Sequence, residues 1–336
     1  FDVNEMRKDF PILERTVHGK PLVYLDSGAT AQKPLCVTQT VERLHNELNA
    51  NIHRGVHYLS AEATSLYEQA RERVQSFIGA AHREEVIFTA GATASINLVA
   101  YSWSERFLSA GDNIVVSRIE HHSNIVPWQL ACQAAGAVVR PIPVKENGEL
   151  DMEAYRNMLS GRVKIVAVEH ISNVLGIINP IKEVIDAAHA LGIPVLVDGA
   201  QGIVHCRVDV RDLDCDFYVF SGHKMYAATG TGVLYGKKKW LEAMPPYMGG
   251  GEMVGTVTFA ETTYAPLPMK FEAGTQNFAS AATLKPAIDF VKLLSDNTLV
   301  EYNDTIRDYI LSELLNDERI RLYGVPHGTN EDKIPL

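Results

Sequence analysis

Lys224 stands just past the apolar run Asp216-Phe217-Tyr218-Val219-Phe220, in the string Ser221-Gly222-His223-Lys224. Such a run reads as a buried strand, and ligands in open α/β sheets collect beyond the carboxyl ends of strands. A lysine held there, in surroundings that lower its pKa, becomes an amine nucleophile able to form a Schiff base. Asp198 closes a second apolar run, Val195-Leu196-Val197, and lies 26 residues before Lys224, about one β-α-β unit. Both side chains can therefore face one pocket from neighbouring strand ends. An amine and a carboxylate so placed suit pyridoxal phosphate (PLP), whose pyridine nitrogen needs a carboxylate to stay protonated and act as an electron sink. Taken alone, a strand-end Asp is more often a turn former or a helix cap.

Two further segments add to the pair. Gly91-Ala92-Thr93-Ala94-Ser95 follows a strand-like run and opens a helix-like one. Backbone N–H groups at a helix N-terminus bind phosphate, and Thr93 or Ser95 adds a hydroxyl. His121-His122 follow a third run, where an imidazole can stack on a planar cofactor. Adjacent residues point in different directions, which argues against a two-histidine metal site.

The elements that must position these residues alternate along the chain. Strand-like runs cover Glu85–Thr89, Asn113–Ser117, Val138–Pro143, Lys164–Glu169, Pro194–Asp198, Asp216–Phe220 and Gly232–Tyr235. Between them lie helix-like segments: Ala92–Phe107, Asn124–Ala135 after a Ser123 cap, and Ile181–Leu191 between Pro180 and Gly192. Val37–Asn49 and Tyr67–Ile78 are amphipathic, residues 243–273 show little periodicity, and Ala281–Leu294 reads as a long helix. This alternation predicts an α/β fold with a mainly parallel sheet. The expected organisation is an N-terminal arm over 1–20, a large cofactor domain over 21–285, and the incomplete start of a smaller C-terminal domain over 286–336.

The 336 residues are 46% hydrophobic and carry a formal net charge of −10, with lysines and arginines scattered. That balance argues against nucleic acid or an anionic membrane as partner. No apolar run reaches the roughly 20 residues needed to span a bilayer. Cys36, Cys132, Cys206 and Cys215 form neither a zinc pattern nor a disulfide framework, so a reduced, cytoplasmic protein without a metal site is expected. Gly230-Thr231-Gly232 precedes a strand instead of following one, the wrong context for a dinucleotide fingerprint.

Together these segments resemble the class V, NifS-like PLP enzymes, most closely the group II cysteine desulfurase and selenocysteine lyase family of SufS type. The similarity rests on Tyr24-Leu25-Asp26-Ser27, Asn51-Ile52-His53-Arg54-Gly55-Val56-His57 and Glu120-His121-His122-Ser123-Asn124-Ile125-Val126-Pro127-Trp128. It extends to Val197-Asp198-Gly199-Ala200-Gln201, the ten residues Cys215 to Lys224, and Phe271-Glu272-Ala273-Gly274-Thr275. The resemblance implies PLP fold type I, with a mainly parallel seven-stranded sheet flanked by helices and a smaller α+β C-terminal domain largely missing from this chain.

The resemblance also implies roles. Lys224 holds PLP as a Schiff base and moves the substrate Cα proton. Asp198 pairs with the pyridinium, Gln201 bonds the phenolic oxygen, and His121 stacks on the ring and relays protons. Ala92, Thr93, Ser221 and His223 hold the phosphate, and Thr275 reaches the phosphate of a partner subunit, so a homodimer with shared sites is implied. Asn173 lies near the substrate carboxylate and the ring oxygen. His53 and Arg54 line the pocket mouth.

The implied reaction converts L-cysteine to L-alanine and passes sulfur through an enzyme persulfide to an acceptor protein, for iron–sulfur cluster assembly. L-selenocysteine as substrate, another class V activity, and a PLP-binding homologue without turnover remain alternatives. The family often has Glu after the equivalent of Thr93 and usually has Pro after that of Thr275; here they are Ala94 and Gln276. Its Arg-Thr-Gly-x-His-Cys-Ala loop, with the nucleophilic cysteine, occurs nowhere in the 336 residues.

Overall fold

The computed structural model describes residues 2–294 and 297–323. Seven strands form the central sheet: β1 (Val86–Thr89), β2 (Asn113–Ser117), β3 (Val138–Ile142), β4 (Val163–Glu169), β5 (Val195–Asp198), β6 (Phe217–Ser221) and β7 (Gly232–Gly236). Each coincides with an apolar run of the sequence. Their order is β1-β7-β6-β5-β4-β2-β3. All neighbours pair in parallel except β7, which is antiparallel to both β1 and β6. The connection 222–231 is shorter than the dozen or so residues a parallel crossover needs, so β7 must fold back beside β6.

Both faces of the sheet are buried, and alternate residues of each strand serve opposite faces. On one face Val166, Val168, Val195, Val197, Tyr218 and Phe220 join a core that includes Tyr67, Val74 and Ile185. On the other, Ile165, Ala167, Leu196, Phe217 and Val219 meet Ile96, Val99, Trp103 and Trp128. The helices covering the sheet are α1 (Leu35–Glu47), α2 (Tyr58–Ile78), α3 (Ala92–Phe107), α4 (Val126–Ala135) and α5 (Ile181–His189). Ala92–Phe107 matches the sequence expectation at both ends.

Three expectations need correction. Ser123 does not cap a helix: it sits in a single 3-10 turn, His122–Asn124, and α4 starts later, at Val126 with Pro127 in its first turn. Residues 243–273 are not wholly irregular, because β8 (Val254–Val257) and β9 (Thr262–Tyr264) form an antiparallel hairpin. The long helix near 281–294 is broken in two, Phe278–Ala282 and α6 (Leu284–Leu294). The break is Thr283, whose hydroxyl donates to the Ser280 carbonyl and accepts from the Ala228 N–H at 3.0 Å.

At the N-terminus a short helix, Val3–Arg7, precedes Phe10, whose ring packs edge-on to Phe290. Beyond α6 lies α7 (Asn297–Leu315). Of the C-terminal portion expected over 286–336, residues 295–296 and 324–336 lie outside the described residues. Among the described residues no helix is long and apolar enough to cross a membrane.

Candidate active site

Parity along the strands decides where the site lies. Ser221 lies two and four residues past Val219 and Phe217, and Asp198 two past Leu196. Glu169 is likewise two past Ala167. Residues two apart on a strand share a face, so all three side chains emerge on the face covered by α3. All three close their strands at the same end of the sheet, and Glu169 is the register partner of Asp198. A cavity of about 460 Å³ opens there. Its wall includes Ala92, Thr93, His121, Asn173, Asp198, Gln201, Ser221, His223 and Lys224.

The start of α3 gives the cavity its anion-binding end. Gly91, the N-cap residue, has φ 150° and no side chain of its own to cap the helix. The Ala92 N–H donates to Ser221 Oγ at 2.8 Å, fixing the helix start to the end of β6. A Cβ on Gly232 would fall 2.4 Å from Gly91 Cα, so only glycine lets β7 pass beneath this turn. The remaining first-turn N–H groups keep the positive end of a 16-residue helix turned toward an anion.

Lys224 lies in the one-turn 3-10 helix Gly222–Lys224 directly after β6. Burial lowers its pKa, against the opposing pull of Asp198 and Glu169. Asp198 is buried and accepts the Ala200 N–H at 3.0 Å, and burial raises its carboxyl. The Ser123 N–H donates to His121 Nδ1 at 3.1 Å, which makes Nδ1 the acceptor and leaves the proton on Nε2. Burial lowers the His121 pKa and so favours that neutral ring.

A strap from the N-terminal part of the chain closes one side of the site. Gln201 Nε2 donates one hydrogen to the Gly28 carbonyl at 2.8 Å. The His223 carbonyl accepts from the Ala31 N–H at 3.1 Å and from Lys33 Nζ at 2.8 Å. Leu25, Asp26, Gly28 and Ala29 thereby join the cavity wall.

Thr275, His53 and Arg54 lie away from this cavity. Thr275 lines a second cavity, of about 260 Å³, with Tyr67, Phe88 and Gln276. His53 packs edge-on to Tyr67 and its Nε2 lies 3.1 Å from Glu68 Oε1. Arg54 pairs with Glu252. Sequence reasoning missed Glu169, whose place at the end of a buried run was the same signal that flagged Asp198. It also missed the strap, which carries no strand-end signature.

The aminotransferase class-V family model matches residues 23–334. The chain belongs to that family. A probable cysteine desulfurase of Vibrio cholerae is 54% identical over 323 residues, covering 96% of this chain and 80% of its own length. A cysteine desulfurase of Cronobacter sakazakii is 46% identical over 325 residues, with the same two coverages, 96% and 80%. The solved apo structure of a Thermococcus onnurineus cysteine desulfurase superposes with a TM-score of 0.90 at 32% identity, over 99% of this chain and 80% of that one. An Escherichia coli cysteine desulfurase gives 0.85 at 38%, over 95% and 78%.

Class-V aminotransferases are PLP-dependent, and the donor set fits that cofactor. The uncapped start of α3 suits a phosphate, the Lys224 amine an aldehyde, and the buried Asp198 carboxylate a protonated ring nitrogen. One buried oxygen of the cavity residue Glu169, Oε1, has no hydrogen-bond partner from the protein, so the wall still holds a group that a ligand satisfies.

Proposed function

We propose that this chain is a PLP-dependent cysteine desulfurase that takes sulfur from L-cysteine, releases L-alanine and passes the sulfur to a thiol as a persulfide. One observation carries the reading: a single cavity joins a buried amine, a buried strand-end carboxylate, a neutral imidazole and an uncapped helix start. The bound cofactor supplies an electron sink that lets the substrate Cα–H and then Cβ–S bonds break.

The protein's own residues do the rest. Lys224, its amine freed of a proton below the usual lysine range, fixes the cofactor covalently and later removes and returns the Cα proton. Asp198 keeps the ring nitrogen protonated. Gln201 has its second amide hydrogen for the phenolic oxygen, the first being used on Gly28. His121, with its proton on Nε2, would stack on the ring and relay a proton there. Ala92, Thr93, Ser221 and His223 bind the phosphate, and Asn173 orients the substrate carboxylate.

Thr275, His53 and Arg54 belong, in this proposal, to the site of a second copy of the chain, forming a homodimer. Thr275 in the second cavity, His53 against Tyr67 of α2 and Arg54 on Glu252 all lie apart from the cofactor cavity, which supports that assignment. None of the four cysteines lines the cofactor cavity, and burial raises each thiol's pKa. The thiolate that receives sulfur is therefore assigned outside these 336 residues, with a sulfur-acceptor protein and iron–sulfur cluster assembly downstream. Four unpaired thiols suit a cytoplasmic setting.

Purified protein reconstituted with PLP should be yellow, and borohydride should fix the cofactor to the peptide containing Lys224. Alanine should form from L-cysteine when a thiol acceptor is present. A colourless protein that cannot be reconstituted would sink the reading. Alanine from L-selenocysteine alone would move it to a selenocysteine lyase.

A further inference from the structure

Three carboxyl groups crowd the floor of the cofactor cavity, and only one of them has been given work. Asp198, Glu169 and Glu120 are all buried, at 4%, 3% and 7% exposure. Glu169 and Asp198 are register partners at the ends of adjacent parallel strands, and both line the cavity. Glu120 lies behind them: its Oε1 accepts the Glu169 backbone N–H at 2.9 Å and the Ser117 hydroxyl at 2.5 Å. Its Oε2 accepts the Asn124 amide at 2.7 Å. Glu120 is thus well supplied with donors.

Glu169 is not, because its Oε1 is buried without a partner. An ionised carboxylate with an unsatisfied buried oxygen is the costliest state available to this group. The groups facing it are Asp198 and Glu120, both acidic, the His121 backbone and the Ser172 hydroxyl, and the single amine of Lys224. One amine cannot neutralise three carboxylates, and although the Ser172 hydroxyl and the His121 backbone favour the charged form, they leave Oε1 without a donor. We propose that Glu169 keeps its proton and is a second carboxyl of the cofactor seat, a neutral hydrogen-bond donor set beside Asp198 in the cavity floor. Burial and repulsion from Glu120 act in the same direction, raising its pKa. A neutral neighbour donates to the floor without adding a charge that would compete with Asp198 for the proton of the ring nitrogen.

The inference rests on the PLP reading, and two variants separate them. Glu169→Gln keeps a neutral donor of nearly equal size; Glu169→Leu removes it. Apo-protein is titrated with PLP, and the pH midpoint of the bound cofactor's visible absorption is recorded. Wild type and Glu169→Gln should agree within about twofold in affinity and share one midpoint, whereas Glu169→Leu should bind about tenfold more weakly. A midpoint lowered in Glu169→Gln would show that a negative charge had been removed, and would overturn the proposal. So would Glu169→Leu binding as wild type does. Failure of wild type to take up PLP would sink both readings, whereas normal uptake with unchanged variants sinks only this one. Infrared spectra of the apo-protein near neutral pH give a readout that does not depend on the cofactor or on the stability of Glu169→Leu. A protonated-carboxyl band present in wild type should be lost in Glu169→Gln, and an unchanged spectrum would contradict the assignment.

Discussion

The two cavities differ in how completely one chain builds them. The larger sits on the ends of β4, β5 and β6, where a strand end, the turn after a strand and the strap fix Ala92, Asp198 and Gln201 in turn, and Glu169 Oε1 is left without a partner. The smaller lies between α2 and the segment 271–277. A buried ion pair ties those two elements together: Arg71 Nη1 donates to Glu272 Oε1 at 2.7 Å, and Tyr67 donates to Glu272 Oε2 at 2.8 Å. Its wall also carries buried polar atoms without partners, Thr231 Oγ1 and Gln276 Oε1. The lesson is that neighbouring strand ends gather a site's groups within one chain. A rim held by a helix and an extended segment is left to be finished by something else, which in the proposed homodimer is a second copy.

Four experiments would break or sharpen this contrast. The largest effect is expected from Lys224→Ala, which should lower alanine release by two to four orders of magnitude. If Thr275 serves the partner's site, mixing Lys224→Ala with Thr275→Ala protein under subunit exchange should restore part of the activity. Mixtures as inactive as their components would confine each site to one chain.

Next is Arg71→Ala, which leaves Glu272 buried and unpaired and should cost about 3–5 kcal/mol in denaturant unfolding. PLP affinity of the folded fraction should hardly change, since neither residue lines the larger cavity. A proportional loss of affinity would show that the two regions are one cooperative unit.

A smaller effect separates them by pH. Burial raises the Glu68 pKa, but His53 and Arg71 outweigh it and hold the carboxyl at about 2. A depressed carboxyl contributes stability above its unfolded pKa of about 4.3 and loses it as pH falls toward the folded value. Wild type should therefore lose on the order of 1–2 kcal/mol relative to Glu68→Gln between about pH 5 and pH 2, allowing for partial solvent screening. Parallel stability curves for the two proteins would rule out the linkage. Least costly is Ser221→Ala, which unpairs the Ala92 N–H and should destabilise by about 1 kcal/mol while weakening PLP binding several-fold. Unfolding midpoints and PLP titrations check both.

The larger cavity was also the more legible in the sequence, for a physical reason. A parallel strand buried on both faces has to be a short continuous apolar run, and it has to stop where a polar side chain meets the ligand. Asp198 and Lys224 could be placed by that rule alone, and Glu169 obeys it as well. The rule says nothing about which strands pair, and the reversed β7 is legible only from the short 222–231 connection, a signal separate from the apolar runs. Nor was the true role of Ser123, since a hydroxyl ahead of a helix looks like a cap whether it holds the helix or a histidine. Thr275, His53 and Arg54 were known only through resemblance. Their positions depend on pairings such as Arg54 with Glu252, remote in sequence and without periodicity.

The strap has a consequence for how the protein comes into being. Thr30 Oγ1 bonds the His223 carbonyl across 193 residues, and Gln201 bonds Gly28 across 173. Closing loops of that length costs little more than closing shorter ones, but it cannot begin until the far partner exists. During synthesis the segment around Gly28 must therefore wait for the ends of β5 and β6 to emerge and pair. The cofactor's seat is sealed late, so PLP loading should be tied to the completion of the sheet and not to its nucleation.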